Sequence, residues 1–164
     1  MTESEIRLHR CCFTGHRPKK LRRPEAEIKA DLEKAINHAI ADGYTTFITG
    51  MAYGVDIWAG QIVVRLRKRN PNLHLIAAVP FRGFEDRWSS DWKRAYQELL
   101  EQSDLVKYIC PGYNPGAYQR RNEWMVDHSN RVIAVFNGEP SGTKNTIDYG
   151  KCTIITRMAS HPTM

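Results

Sequence analysis

Three short stretches combine residue types suited to holding an anion: Thr14-Gly15-His16-Arg17, Thr49-Gly50-Met51-Ala52-Tyr53-Gly54-Val55-Asp56, and Gly138-Glu139-Pro140-Ser141-Gly142-Thr143-Lys144-Asn145-Thr146. Glycine lets backbone N–H groups approach an oxyanion closely, and a helix that starts just after such a turn adds unpaired donors and partial positive charge. One turn of this kind is ordinary punctuation between a strand and a helix. Three of them, all polar and all at one predicted edge of a sheet, point to a phosphate-bearing ligand. None fits the dinucleotide pattern G-x-G-x-x-G or the Walker A pattern, so neither a dehydrogenase nor a P-loop NTPase is indicated.

The candidate ligand-binding residues are therefore Gly15, His16, Arg17, Gly50, Met51, Gly54, Asp56, Gly142, Thr143, Lys144 and Thr146, joined by Trp88. His16, beside Arg17 in a turn, reads as a binding group rather than a catalyst. Asp56 stands near a helix start, where it can cap the helix. Trp88 and Phe81 lie in the loop Pro80–Ser90, where a large aromatic either packs beneath the loop or stacks on a base. No His or Cys spacing suits a metal, no cofactor is implied, and no catalytic residue is evident from the turns themselves.

The elements that position these residues alternate between β-like and helical patterns, which predicts an α/β domain with a mostly parallel sheet in a three-layer, Rossmann-like arrangement. Strands are expected at Leu8–Phe13, Thr45–Thr49, Leu75–Val79, Leu105–Ile109 and Val132–Phe136, with an edge strand at Thr153–Ile155. Ile28, Leu32, Ile36 and Ile40 recur four apart in a helix that ends at Gly43. Val55, Trp58, Ala59, Ile62, Val63 and Leu66 line a second helix. Further helices are predicted through Trp92 to Leu100, over Tyr118–His128, and from Gly138 to about Lys151. The strands are apolar enough to be covered on both faces. In such sheets ligands bind outside the carboxyl ends of the strands, where the three glycine turns fall.

Composition sets the outer bounds. The 164 residues suit one domain, 1–164, and the apolar 41% and charged 26% are those of a globular protein. No apolar run is long enough to cross a bilayer, and the polar start Met1-Thr2-Glu3-Ser4-Glu5 is unlike a signal peptide. Cys11, Cys12, Cys110 and Cys152 form no C-x-x-C pair. A cytoplasmic protein with reduced thiols is expected. The net charge of +6 permits an anionic ligand. Of the two basic clusters, Arg65–Arg69 ends a helix, where cations favour the dipole, whereas Arg17–Arg23 follows a ligand turn. The expected partner is a nucleotide-like small molecule, with single-stranded nucleic acid as the alternative. Homo-oligomerisation is left open, and no membrane partner is expected.

The motifs also carry a family resemblance. Thr49-Gly50-Met51-Ala52-Tyr53-Gly54-Val55-Asp56-Ile57-Trp58-Ala59 resembles the S-G-x-A-x-G-I-D-x-x-A stretch of the DprA family. Arg121-Asn122-Glu123-Trp124-Met125, Ser129–Val135 and Ser141-Gly142-Thr143 follow in an order similar to both DprA and the LOG ("lysine decarboxylase-like") nucleotide hydrolases. These groups belong to the SLOG superfamily of Rossmann-like nucleotide binders. The opening Thr14-Gly15-His16-Arg17-Pro18 and the tail Gly142-Thr143-Lys144-Asn145-Thr146 look most like its YpsA-like branch, and the resemblance covers nearly the whole chain. It implies binding of a nucleotide or a nucleotide-derived ligand such as ADP-ribose or NAD, in a sensor or regulatory role, with Asp56 facing a ribose hydroxyl. It also marks a departure. LOG hydrolases end their signature P-G-G-x-G-T-x-x-E, and that Glu works with an upstream Arg to cleave an N-glycosidic bond. Arg121 matches the Arg, so the resemblance adds Arg121 and Asn122 to the ligand-binding candidates and makes Arg121 the one catalytic candidate, but Thr146 holds the Glu position and Pro140-Ser141 replaces the proline-glycine pair. Hydrolysis of a nucleoside monophosphate, with Asp148 or Glu123 replacing that Glu, is therefore a secondary reading. DNA binding of the DprA kind is a third.

Overall fold

Alternate side chains of the first strand point into two different cores, and this sets the layering. The structure, a computed structural model, describes residues 2–15, 17–21, 23–135 and 153–157. Strand β1 (Arg10–Gly15) sends Cys11 and Phe13 into one apolar cluster and Cys12 into another on the opposite face. Both clusters are buried, so β1 is covered on both sides, as a parallel sheet requires.

The other strands are β2 (Thr46–Thr49), β3 (His74–Val79), β4 (Leu105–Tyr108), β5 (Arg131–Val135) and β6 (Thr153–Arg157). They form one six-stranded sheet in the order β4-β3-β2-β1-β5-β6, and every pairing is parallel. Phe13 and Phe47 stack across β1 and β2, with ring centroids 5.9 Å apart. Order reverses at β1: the chain first lays strands outward to β4, then returns to pair β5 on the other side of β1. A crevice between diverging connections opens at such a reversal, at the carboxyl ends of the strands.

Helices cover both faces. On one lie α3 (Glu25–Ala41), α4 (Val55–Arg67) and α5 (Ser90–Gln102), packed on β1, β2 and β3 through α4. Helix α4 is the central one, and its Val55, Ile57, Trp58, Ala59, Ile62, Val63 and Val64 are all buried between the sheet and its two flanking helices. On the other face α6 (Ala117–Asp127) buries Met125 and Val126 against Cys12, Ile48, Ala78, Val132 and Ala134. The expected three-layer architecture is present. Among the described residues no helix is long and apolar enough to cross a membrane.

Several details depart from the sequence expectation. Leu8 does not begin β1. It ends a short helix, α1 (Glu3–Arg7), and is 55% exposed. Thr2 and Glu5 close a reciprocal capping box that starts this helix, each side chain accepting from the other's backbone N–H at 3.2 Å. Strand β1 runs on through Thr14 and Gly15, which were expected in the turn, and Pro18–Leu21 then form a single helical turn, α2. Strand β4 is an edge strand with Leu105 and Lys107 exposed, so its apolar look does not mean burial on both faces. Phe136 and the helix expected after Gly138 lie outside the described residues.

Of the three described glycines with positive φ, Gly43 and Gly54 adopt it in contrasting surroundings. Gly43 (φ 98°) follows α3 and faces open space, while Gly54 (φ 98°) precedes α4 with the Pro18 ring so close that a Cβ would lie 2.7 Å from Pro18 Cδ. Gly43→Ala should cost only the backbone term, about 1 kcal/mol. Gly54→Ala adds a steric clash to that term and should cost more than ~2 kcal/mol. Urea unfolding of the two variants would rank them, and equal losses would show that the contact between Pro18 and Gly54 carries no strain.

Candidate functional site at the carboxyl edge of the sheet

The turn after β2 is held by side chains that converge on it from three directions. Thr49, the last residue of β2, donates its hydroxyl to the Asp56 carbonyl at 2.7 Å and accepts the Met51 N–H at 3.3 Å. Met51 has φ 65°, an unusual conformation for a residue with a side chain. Its side chain is wholly buried in the main core, which fixes the turn as a plug would. Asp56 Oδ2 accepts the Ala52 N–H at 3.2 Å. The carboxylate therefore folds back over the turn, and no side chain caps α4 at Gly54.

Arg121 reaches the same turn from the other layer. It sits in the second turn of α6, with Nη1 donating to the Gly50 carbonyl and Nε donating to Asn122 Oδ1 at 2.8 Å. A Cβ at Gly50 would lie 2.9 Å from Arg121 Nη1 and 2.9 Å from Asp56 Oδ2. Only glycine leaves room for both charged groups there. Asp56, Arg121 and Asn122 are all buried.

Electrostatics follow from this burial. Burial pushes the Asp56 carboxyl above its ordinary range, and the Arg121 guanidinium, the Ala52 N–H and Arg17 pull it back. Burial likewise lowers Arg121, with Asp56 opposing that shift and Arg17 reinforcing it. Arg17 is thus close enough to act on both. Its guanidinium lies 4.1 Å from the centre of the Tyr53 ring, in the same turn. Arg17, Asp56 and Arg121, far apart in sequence, form one charged cluster at the carboxyl ends of β1 and β2.

The other expected residues fall as follows. Gly15 ends β1, with Val55 of α4 against its Cα, and Gly54 opens α4. Trp88 is half-buried and packs edge-on to Phe84 at 4.9 Å and Tyr53 at 5.3 Å. His16, Gly142, Thr143, Lys144 and Thr146 lie outside the described residues. Glu123 is held by Gln119 Nε2 at 3.0 Å, and it stands two positions after Arg121, on a different side of α6. In the basic cluster that ends α4, Arg65 pairs with Glu33, and Arg67 pairs with Asp104 at 2.9 Å, which accounts for both structurally.

Sequence reasoning singled out Phe81 and Trp88 but missed the other aromatic rings around the site. Tyr53, Phe84, Tyr113 and Tyr118 all border the charged cluster or the cavity beside it. Tyr118 carried a usable signal, since it precedes Arg121 by three residues and so shares its helix face. Among the described residues, no three His, Cys, Asp or Glu side chains converge as a metal site.

A match to the YspA SLOG family spans residues 11–161. The chain belongs to the YspA SLOG family. Among its relatives is the uncharacterized SPbeta prophage-derived protein YoqJ of Bacillus subtilis, 39% identical over 121 residues, covering 66% of this chain and 71% of that protein. A UPF0398 protein of Oceanobacillus iheyensis is 30% identical over 144 residues, covering 82% of this chain and 78% of the relative. Another, from Bacillus pumilus, is 28% identical over 118 residues, and the match spans 71% of this chain but only 63% of its partner. The fold is shared with DNA processing protein A. The Helicobacter pylori structure, described for its single-stranded DNA binding mode, superposes with a TM-score of 0.59 at 19% identity, over 90% of this chain and 62% of that one. The Streptococcus pneumoniae structure gives a TM-score of 0.59 at 19% identity, over 87% of this chain and 47% of the other.

The Asp56 shift has a consequence for stability. Its pKa in the folded protein lies above the unfolded value, so its contribution is fully present below the unfolded value of about pH 4 and is lost as pH rises through the folded value. Asp56→Asn removes that dependence. The melting temperature of the variant relative to the parent should therefore rise with pH across this window, as parallel thermal melts would show. A difference independent of pH would mean that Asp56 titrates normally.

Proposed function

We propose that the chain binds a nucleotide or nucleotide-derived ligand of the ADP-ribose or NAD type at this edge, and serves as a sensor or regulatory component. The reading rests above all on the buried cluster of Asp56 and Arg121 around the Gly50 turn, with Arg17 beside it. Burying charge is costly unless it is paired and hydrogen-bonded, so the turn concentrates a carboxylate and two guanidinium groups where α4 begins. The carboxylate suits ribose hydroxyls. The guanidinium groups and the N-terminal end of α4 suit phosphate oxygens. The Gly142-Thr143-Lys144-Asn145-Thr146 segment would add backbone and lysine donors to the same phosphate.

Hydrolysis of the glycosidic bond has less support. Thr146 supplies no carboxylate, and Glu123 is turned toward Gln119 rather than Gly50. Cleavage needs a group to stabilise an oxocarbenium-like centre and position water. Nucleoside monophosphates incubated with the protein should therefore release no free base, as chromatography would reveal. Single-stranded DNA binding is a second reading, favoured by the exposed rings of Tyr113 and Tyr118 and by the DNA-binding mode described for the Helicobacter pylori protein.

Two variants separate these readings. Arg121→Ala should weaken ADP-ribose binding by roughly tenfold or more, the usual effect of losing a charged hydrogen bond. Replacing the exposed Lys68 and Arg69 by alanine should leave ADP-ribose binding unchanged, because solvated charges make screened contacts. Calorimetric titration with ADP-ribose and with a thymidine oligonucleotide at two salt concentrations would check both. Salt-sensitive oligonucleotide binding lost in the surface variant, with no ADP-ribose binding by the parent, would replace the small-ligand reading with the DNA one.

A further inference from the structure

Beside the charged cluster, the loop after β3, the loop after β4 and the start of α6 border a cavity of about 650 Å3, within the size range of small-molecule sites. Five aromatic rings line it, from Phe81, Phe84, Trp88, Tyr113 and Tyr118. They pack mostly edge-to-face: Phe81 meets Tyr113 at 5.4 Å and Tyr118 at 5.9 Å, and Phe84 meets Trp88 at 4.9 Å. Phe81 and Phe84 are buried, whereas Tyr113 is 68% and Tyr118 39% exposed. The cavity therefore has a fixed aromatic floor and two rings at its mouth that remain open to solvent.

We propose that this cavity receives the base of the bound nucleotide, stacked against Tyr113 and Tyr118, while the sugar and phosphate reach Arg121 and Arg17. The inference rests on the nucleotide-binding reading above and assigns that site a second half. Three observations carry it.

The first is continuity. The Arg121 guanidinium lies 6.0 Å from the centre of the Phe84 ring, and Tyr118 stands one turn before Arg121 on the same face of α6. On the other side Trp88 contacts Tyr53, which carries the Arg17 guanidinium. Charged cluster and cavity thus share walls, and one ligand can span both. The second is chemistry. Asp86 and Arg87 also line the cavity, offering an acceptor and a donor to the polar edge of a heterocycle. A pocket for a hydrocarbon has no use for either. The third is accessible ring surface, since a base covering Tyr113 and Tyr118 removes from water two of the large hydrophobic residues that the described chain exposes. Stacking of this kind tolerates any base, so the cavity would set the ligand class more than the choice among bases.

The test compares AMP with ribose 5-phosphate, which keeps the sugar and phosphate but lacks the base. In calorimetric titrations the parent protein should bind AMP at least roughly tenfold more tightly than ribose 5-phosphate. Tyr113→Ala, at an exposed loop position away from the charged cluster, should lose most of that preference and leave ribose 5-phosphate affinity unchanged. Tyr113→Phe should keep it. Equal affinity of the parent for the two probes, or an AMP preference untouched in Tyr113→Ala, would overturn the base assignment while leaving the phosphate site standing. Failure of the parent to bind either probe would overturn the nucleotide reading and this inference with it.

Discussion

Arg121 donates to the carbonyl of Gly50 in the interior of the protein, and much of the site's geometry depends on that one bond. The two residues belong to different layers. Gly50 begins the turn that leads from β2 into α4 on one face of the sheet, whereas Arg121 comes from α6 on the other. The guanidinium passes around the carboxyl edge and ties the two layers together where the sheet leaves its strand ends open. Asp56, folded back over the same turn, supplies the opposite charge, and Asn122 takes up a second guanidinium nitrogen. A lysine could not serve, because the bonds to Gly50 and Asn122 diverge from one planar group.

This arrangement is costly in itself. A carboxylate and a guanidinium withdrawn from water lose hydration that their mutual attraction only partly restores, and Met51 adds a backbone conformation that side chains normally avoid. The surrounding core compensates. Met51 is wholly buried, α4 is packed on nearly every side, and the aromatic rings from the loop after β3 close over the outer surface of the turn. Local strain combined with dense support is how a binding surface is kept in one shape before any ligand arrives.

Much of this was readable in the sequence, and what escaped did so for physical reasons. The alternation of β-branched runs with four-residue apolar spacing predicted the parallel sheet and its covering helices because both periods follow from burial alone. Gly50, Gly54 and Asp56 were recognisable because their spacing is a local property of one turn, whereas Arg121 stood out only through the family resemblance. The Gly50–Arg121 bond was not, since it joins residues 71 apart whose meeting depends on strand order. Strand β4 read as a fully covered strand because Leu105, Val106 and Ile109 are apolar, yet whether a strand lies at an edge is decided by topology. Helix α1 was overlooked although Thr2 and Glu5 have capping-box spacing, because a five-residue helix has no periodicity to detect.

Strand order also governs when the site can come into being as the chain leaves the ribosome. Strands β1 to β4 are laid down side by side in the order of synthesis, so each can dock on its predecessor as it emerges. The Gly50 turn is made early, but the cation that fixes it arrives about seventy residues later, on α6. Until then Asp56 has no Arg121 beside it, and the far side of β1 awaits β5. Competence for ligand is therefore a late event in biogenesis, reached only when the chain has turned back across its own first strand.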